Sequence, residues 1–431
     1  MTTDQITENA KAILLLCSRF GSGDNGSAKP LATKEYDELA SWLRTKTWWP
    51  MDLLEESNIS GLHDPTLPVK LDRLKSLLAR GTAMALAIEK WTNKGLWVIC
   101  RSDDDYPARL KQNLKGNAPP ILYGAGDRVL LSKGGLAVVG SRNVDAEGEA
   151  FARKLGSRAA ECGMQLVSGA ARGVDELAMY GAFSAGGTVV GVLADSLLTS
   201  AVSGKYREGL REGKLTLVST FIPEAGFNVG NAMGRNKYVY ALADFSVVVS
   251  SDFKKGGTWA GAEEELRNKE RRTIFVRVGA DVPKGNTELL KKGALLFPEA
   301  VWNDDLGEIL RSSSAARPAV EEEKSLSLDF SVPASSTQKP SDQTETVQEQ
   351  RPEYVLTNAR PSTVFEAVKP VIHQALKKPM TLDELSKTLD VRKPQLQDWI
   401  KVLKAAGHVK MKTIRKRKKL VSVDPNEELG L

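Results

Sequence analysis

Cysteine and histidine are scarce in this 431-residue chain, which has three of each. Cys17, Cys100 and Cys162 stand far apart, without the paired spacing of a zinc site and too few for a disulfide framework. Neither a metal nor a cross-link is therefore expected to hold the fold, and no cofactor is expected. Also missing is any apolar run near the ~20 residues that a membrane-spanning helix needs. The opening MTTDQITENAK has no basic stretch leading into an apolar core, so it does not read as a secretory leader. These absences predict a soluble cytoplasmic protein with no membrane partner. Charge of one sign is not missing, because 60 Lys and Arg against 54 Asp and Glu leave a formal net charge of +6. The basic excess is densest towards the C-terminus, which points to nucleic acid.

A chain of this length predicts about two or three domains. Residues 10–95 carry apolar residues at three- and four-residue spacing, notably over 37–43 and 71–88, which predicts several short helices. Trp42, Trp48, Trp49, Trp91 and Trp97 cluster here, and tryptophans at helical spacing in a small helical domain are expected in its core. Asp103-Asp104-Asp105-Tyr106-Pro107 and the 119–124 segment read as an extended connection. From 135 to about 300, apolar strands at 136–139, 165–167, 188–193, 215–218, 246–250 and 273–278 alternate with amphipathic helices. That alternation predicts an α/β, Rossmann-like, mainly parallel sheet with right-handed crossovers. Between 311 and 361 the composition shifts to Ser, Pro, Glu, Gln and Thr, which cannot bury enough surface to offset ordering entropy. The expected organisation is a helical N-terminal domain at 1–102, the Rossmann-like domain at 103–310, a disordered linker at 311–361 and a C-terminal domain at 362–431.

Two strands run directly into small basic loops, Gly140-Ser141-Arg142 and Ser168-Gly169-Ala170-Ala171-Arg172-Gly173-Val174-Asp175. Gly and Ser let an anion approach backbone N–H groups, the following helix adds its positive dipole end, and arginine supplies a planar donor fork. Met233-Gly234-Arg235-Asn236-Lys237 reads as the opening of an amphipathic helix, and Gly256-Gly257-Thr258 as the opening of another, with Thr258 as its N-cap. Gly285-Asn286-Thr287 is a weaker fifth segment. The dinucleotide fingerprint fails, because three glycines in the first turn and an acidic residue ending the second strand are required where Gly-Ser-Arg and Ser168 stand. Each segment alone is explained by turn geometry. Four with one chemistry at the same strand ends predict a binder of a polyanion or nucleotide.

Leu136-Ala137-Val138-Val139-Gly140-Ser141-Arg142, the 168–175 loop, Gly234-Arg235-Asn236 and Gly256-Gly257-Thr258 resemble, in order, the DNA-processing protein A (Smf) family over about 103–297. The resemblance implies a homodimer that binds single-stranded DNA through its Rossmann-like domain, protects it and hands it to a RecA-type strand-exchange recombinase in transformation or recombination. By position it matches Arg142 to the family's phosphate-gripping arginine and Ser168, Gly169 and Arg172 to its second loop; with the loop chemistry above, the residues expected to contact phosphate are Gly140, Ser141, Arg142, Ser168, Gly169, Arg172, Gly173, Arg235, Asn236, Lys237, Gly256, Gly257 and Thr258. The chain departs from the family pattern at Glu176-Leu177-Ala178, where an alanine-histidine pair is usual, and at Ser219-Thr220, where glutamate usually follows the serine. It also departs at Ser203-Gly204-Lys205-Tyr206-Arg207, which lacks a Tyr-Pro pair, and at Lys255-Gly256-Gly257, which replaces Ser-Gly-Ser.

Thr381-Leu382-Asp383-Glu384 fits a capping box, so a helix is expected to start there. Leu382, Leu385 and Leu389 form its stripe, and Leu396, Trp399, Ile400 and Leu403 form that of a second helix stopped by Gly407. Residues 409–423 alternate like a hairpin, with Lys410, Lys412, Arg415, Lys416, Arg417, Lys418 and Lys419 about its turn. The pattern resembles a winged-helix domain whose basic wing grips phosphates. Protein docking by that unit is the alternative.

Two further functions compete. A phosphoribohydrolase acting on nucleoside monophosphates carries a glutamate three residues after the loop threonine, but that position is Gly261; Glu263 lies about 200° further round the helix. A nucleotide sensor acting through the C-terminal unit would have to transmit its signal through about fifty flexible residues.

Overall fold

The computed structural model describes residues 6–20, 28–268, 272–279, 281–316, 369, 372–376, 379–389, 391, 396–397, 399–400, 403, 409–414 and 417–422. Two compact units, Met1–Lys324 and Ser325–Leu431, divide the chain.

The apolar spacing at the start of the first unit produces α1 (Glu8–Cys17), α2 (Thr33–Thr45), α3 (Glu56–Ser60), α4 (Leu71–Leu78) and α5 (Gly81–Thr92). Thr7 caps α1, its hydroxyl accepting from the Ala10 N–H at 3.0 Å. Arg80 is buried in the break between α4 and α5, where its guanidinium donates to the carbonyls of Leu15 and Ser18. Those carbonyls end α1 and have no partner within the helix, so Arg80 closes it. Trp42 and Trp91 are core residues as expected, and Trp48 and Trp97 are half-buried. Trp49 is a correction, since 62% of its surface is exposed.

All six expected strands form. They are β3 (Leu136–Gly140), β4 (Leu166–Ser168), β5 (Val189–Leu193), β6 (Leu215–Ser219), β7 (Phe245–Ser250) and β8 (Thr273–Val276). Three more join them, β1 (Trp97–Cys100), β2 (Ile121–Gly126) and β9 (Leu295–Leu296), in the order β1-β2-β6-β5-β4-β3-β7-β8-β9. β3 to β9 pair in parallel, whereas β2 runs antiparallel to both β6 and β1. The segment read as an extended connection therefore contributes a strand.

α6 (Ala108–Leu114) joins β1 to β2, the crossovers carry α7 (Ala146–Glu161), α8 (Val174–Ser184), α9 (Leu197–Ser200), α10 (Gly204–Arg211), α11 (Val229–Leu242), α12 (Gly256–Arg267) and α13 (Lys284–Lys291), and α14 (Leu306–Ala315) follows β9. Alternate strand residues divide between two cores. Leu136, Val138 and Leu166 pack with Leu155 of α7 and Ala178 of α8, while Ala137, Val139 and Val167 pack with Val239 of α11 and Ala262 of α12. Burial on both faces is why these strands read as nearly continuous apolar runs. The helical N-terminal segment shares the first core: Trp91 meets the Tyr123 ring edge-on at 5.1 Å, and the Ser18 and Tyr123 hydroxyls bond at 2.7 Å.

α14 extends to Ala315, so the first residues assigned to a linker are helical; 317–361 lie outside the described residues. No described helix is long and apolar enough to cross a membrane.

In the second unit the capping box is present. The Thr381 N–H donates to the Glu384 carboxylate at 2.8 Å and the Glu384 N–H to the Thr381 hydroxyl at 3.3 Å, opening α15 (Leu382–Leu389). Leu385, Leu396, Ile400, Leu403 and Val409 form a small core against which Trp399 packs. β10 (Val409–Ile414) and β11 (Arg417–Ser422) pair antiparallel, with Ile414 opposite Arg417. Lys410 and Lys412 fall on β10 and Arg417, Lys418 and Lys419 on β11; Arg415 and Lys416 lie outside the described residues.

Candidate nucleic-acid interface

Strand order reverses at β3, which has β4 on one side and β7 on the other. Diverging crossovers leave a crevice outside the carboxyl ends of strands at such a switch point. The crevice here is a cleft of about 340 Å³ lined by Gly140, Ser141 and Arg142 after β3, Asp175 of α8, Arg235 and Asn236 of α11, and Gly256, Gly257 and Thr258 of α12. Four separate sequence segments thus converge.

The first two loops are stacked on each other. The Val174 N–H donates to the Ser141 carbonyl at 3.3 Å, and Arg172 donates to the Asn143 side-chain oxygen at 2.9 Å. Gly173 allows that approach: its φ is +90°, and a Cβ there would lie 2.5 Å from the Ser141 carbonyl oxygen. Ser168 is buried, and its hydroxyl donates to the Val138 carbonyl at 2.7 Å, so it fastens β4 to β3.

Two helix starts differ from those read in the sequence. α11 begins at Val229, where the Asn228 side chain accepts from the Asn231 N–H at 3.2 Å, so Met233 to Lys237 lie within the helix instead of opening it. Lys255 is the N-cap of α12, and Thr258 is its third residue. Thr258 still lies in the first turn, whose N–H groups have no partner inside the helix. The amide of Asn236 donates to the Gly257 carbonyl at 2.8 Å and fixes the start of α12 against α11. Gly285 and Asn286 buttress the floor from behind, with Asn286 accepting from the Ser251 N–H at 2.8 Å and donating to the Val249 carbonyl at 3.1 Å. Lys237 turns away into a separate hollow with Asn113 and Glu264.

Arg235 is buried, 3.5 Å from the Asp175 carboxylate, and its Nε and Nη1 have no hydrogen-bond partner among the described residues. Burial pushes the Asp175 carboxyl above the usual carboxylate range, opposed by the Arg235 charge and by the N–H groups of Ala171, Gly140 and Gly169. The same burial lowers the pKa of Arg235, and Arg142 adds like-charge repulsion. A guanidinium nevertheless stays protonated in water-accessible pH ranges. The floor therefore holds a cation whose hydrogen-bonding capacity is incompletely used.

Above it, Arg142 is exposed and its guanidinium lies 5.1 Å from the Phe227 ring centre. Phe227, Val229 and Met233 form an exposed apolar rim beside the cations Arg142 and Lys255. Sequence reasoning passed over this rim; its one local signal was an aromatic residue inside the Gly226-Phe227-Asn228-Val229-Gly230 segment. An anion held by Arg142 with a flat ring against Phe227 is what the surface can accommodate. Glu263 is not in the cleft lining and pairs instead with Lys292 at 2.9 Å and Arg267 at 3.1 Å. Gly261, at the position a catalytic glutamate would take, faces Asn236, whose Cβ would lie 3.0 Å from an added Cβ. Among the described residues, no group of three His, Cys, Asp or Glu could hold a metal ion.

Residues 97–304 match the family profile of the DNA recombination-mediator protein A. The DNA processing protein DprA of Bacillus subtilis is 26% identical over 227 residues, 51% of this chain and 73% of that protein. Protein Smf of Escherichia coli is 28% identical over 207 residues, 47% of this chain, so the match spans little more than half, 54%, of that relative. The solved structure of DNA processing protein A from Streptococcus pneumoniae aligns with a TM-score of 0.52 at 20% identity, covering 68% of this chain and 95% of that one. That likeness is one of fold.

Proposed function

Since the chain belongs, through residues 97–304, to the DNA recombination-mediator protein A family, we propose that it binds single-stranded DNA across the switch-point cleft. The observation that carries this reading is the pairing of Arg142 with Phe227 at 5.1 Å above the buried Arg235. Phosphates lie against Arg142, Arg172 and the N-terminal turns of α8 and α12, while a base stacks on Phe227. Duplex DNA keeps its bases stacked inside and cannot use that ring, so the arrangement favours single strands. The protein then protects exposed single strands and loads a RecA-type recombinase as a homodimer in the cytoplasm. The second unit acts as a winged helix, its β10–β11 hairpin adding nonspecific phosphate contacts at longer sites. The chain acts by binding, with neither cofactor nor chemical step.

Fluorescence anisotropy of labelled single-stranded and duplex oligonucleotides across a salt series tests this, using the full chain and a chain ending at Lys324. Salt-sensitive single-strand preference in both chains supports the reading. Loss of all binding in the shorter chain moves the contact to the second unit, and tight binding of a free nucleotide without DNA affinity favours the sensor.

A further inference from the structure

A second hollow, of about 610 Å³, opens on the same sheet edge, between the N-terminal helices and the segments at 119–123 and 220–226. Its relation to the cleft comes from topology. β2 runs antiparallel to β6, so the start of β2 stands beside the carboxyl end of β6. The chain leaving β6 then travels along that edge to α11, tied down where the Ser196 N–H donates to the Ala225 carbonyl at 2.8 Å and the Leu198 N–H to the Pro223 carbonyl at 2.9 Å. Residues 227–233 form a common wall: Phe227, Val229 and Met233 line the cleft, while Asn228 and Asn231 line the hollow.

The hollow and the cleft differ in charge. Asp175 and Asp252 line the cleft alongside its cations. The described lining of the hollow contains Arg19 and Lys29 and no carboxylate. Both cations are exposed, and neither forms a salt bridge within the described residues. The nearby carboxylate of Glu35 is already engaged by Arg73 at 2.6 Å and 3.1 Å. Thr33 and the amides of Asn228 and Asn231 add hydrogen-bonding groups beside the half-buried ring of Phe221. Two exposed cations, amides and an aromatic edge, with no carboxylate in the described lining, make a surface that attracts a phosphodiester chain.

We propose that the hollow is a second binding segment for the same strand: DNA that stacks on Phe227 crosses the 227–231 wall and continues past Arg19 and Lys29. This rests on the single-strand reading of the cleft and extends it, making the N-terminal helices part of the DNA path. Groove-tracking single-strand binders cover about 4–16 nucleotides, so a short oligonucleotide fills the cleft alone and a long one fills both.

The test compares oligothymidylates of about 5 and about 15 nucleotides, using the full chain and the double variants Arg19→Glu/Lys29→Glu and Arg19→Gln/Lys29→Gln. Both positions are exposed, so the variants are expected to fold, and the short oligonucleotide monitors the cleft. The expected result is unchanged affinity for the short strand and at least tenfold weaker binding of the long strand to the charge-reversed protein. In the neutral variant the slope of log K against log salt for the long strand falls by about 1.4, two phosphates at ~0.7 each. Wild-type affinity of either variant for the long strand, or equal losses on both lengths, overturns the proposal and leaves the cleft reading standing. Failure of the unaltered chain to bind either strand overturns both.

Discussion

The guanidinium of Arg235 occupies the space where a side chain at Gly169 would stand, since a Cβ there would lie 1.0 Å from Nη1 of Arg235. Glycine at 169 thus leaves room for an arginine that lies 66 positions later in the chain. Gly169→Ala is expected to displace the Arg235 guanidinium and to destabilise the fold by about 1 kcal/mol, the low end for overpacking, because the group that must shift is the end of a side chain beside an open cleft. Urea unfolding measures this, and single-strand affinity should fall with it because the cleft floor shifts. A wild-type midpoint would mean that Arg235 has room to move.

Arg142→Glu probes the rim. The side chain is exposed and its one ring contact is with Phe227, so stability should change by no more than ~0.5 kcal/mol. Single-strand binding should weaken at least tenfold, about 1.4 kcal/mol, and the salt slope should flatten by about 0.7. Unchanged affinity in the folded variant would remove Arg142 from the interface.

Phe227→Ala separates stacking from charge. Loss of one stacked base costs about 1–3 kcal/mol, and the salt slope should stay as in the unaltered protein, because no phosphate contact is removed. Equal weakening for duplex and single strands would contradict a stacking role.

Acid stability should carry the mark of Glu35. Its hydrogen bonds with Arg73 and the Ala32 N–H hold the carboxyl down at about 2, below its ordinary 4.5. A depressed acid contributes stability that is present above its unfolded pKa and lost as pH falls through the folded value. Glu35→Gln should therefore be less stable than the unaltered protein above pH 4.5, with the gap closing between 4.5 and about 2. Because the side chain is partly exposed, the gap is expected to be small. A gap that stays constant down to pH 2 would show that the ion pair contributes nothing to folding.

The parallel strands were legible because burial on both faces leaves β-branched runs almost free of charge. β1 and β2 were not, since Trp97-Val98-Ile99-Cys100 follows a helix directly and the 119–124 segment begins with two prolines. Gly-Ser-Arg and Gly-Gly-Thr announced the cleft through local turn chemistry. The start of α11 was hidden by Gly226, Gly230 and Gly234, which weaken a helical pattern over the first turns. Arg235 read as a phosphate contact, but its burial did not show, because its partner, Asp175, is 60 positions away and nothing local reports it. Phe227 gave little signal for the complementary reason: one aromatic among glycine and asparagine gains its meaning only when Arg142 is brought over it.

β2 lies between β6 and β1, and β1 comes from the N-terminal stretch of the chain. A protein trimmed to begin after Cys100 would lose the outer ladder of β2 and the helix that covers Tyr123. The exposed row of backbone N–H and C=O groups would become a docking rail for any other unpaired strand, including a second trimmed chain. Aggregation or strand exchange is thus the hazard of shortening this protein from its front. Chimaeras are better joined beyond Ala315, where α14 ends and no ladder has to be cut.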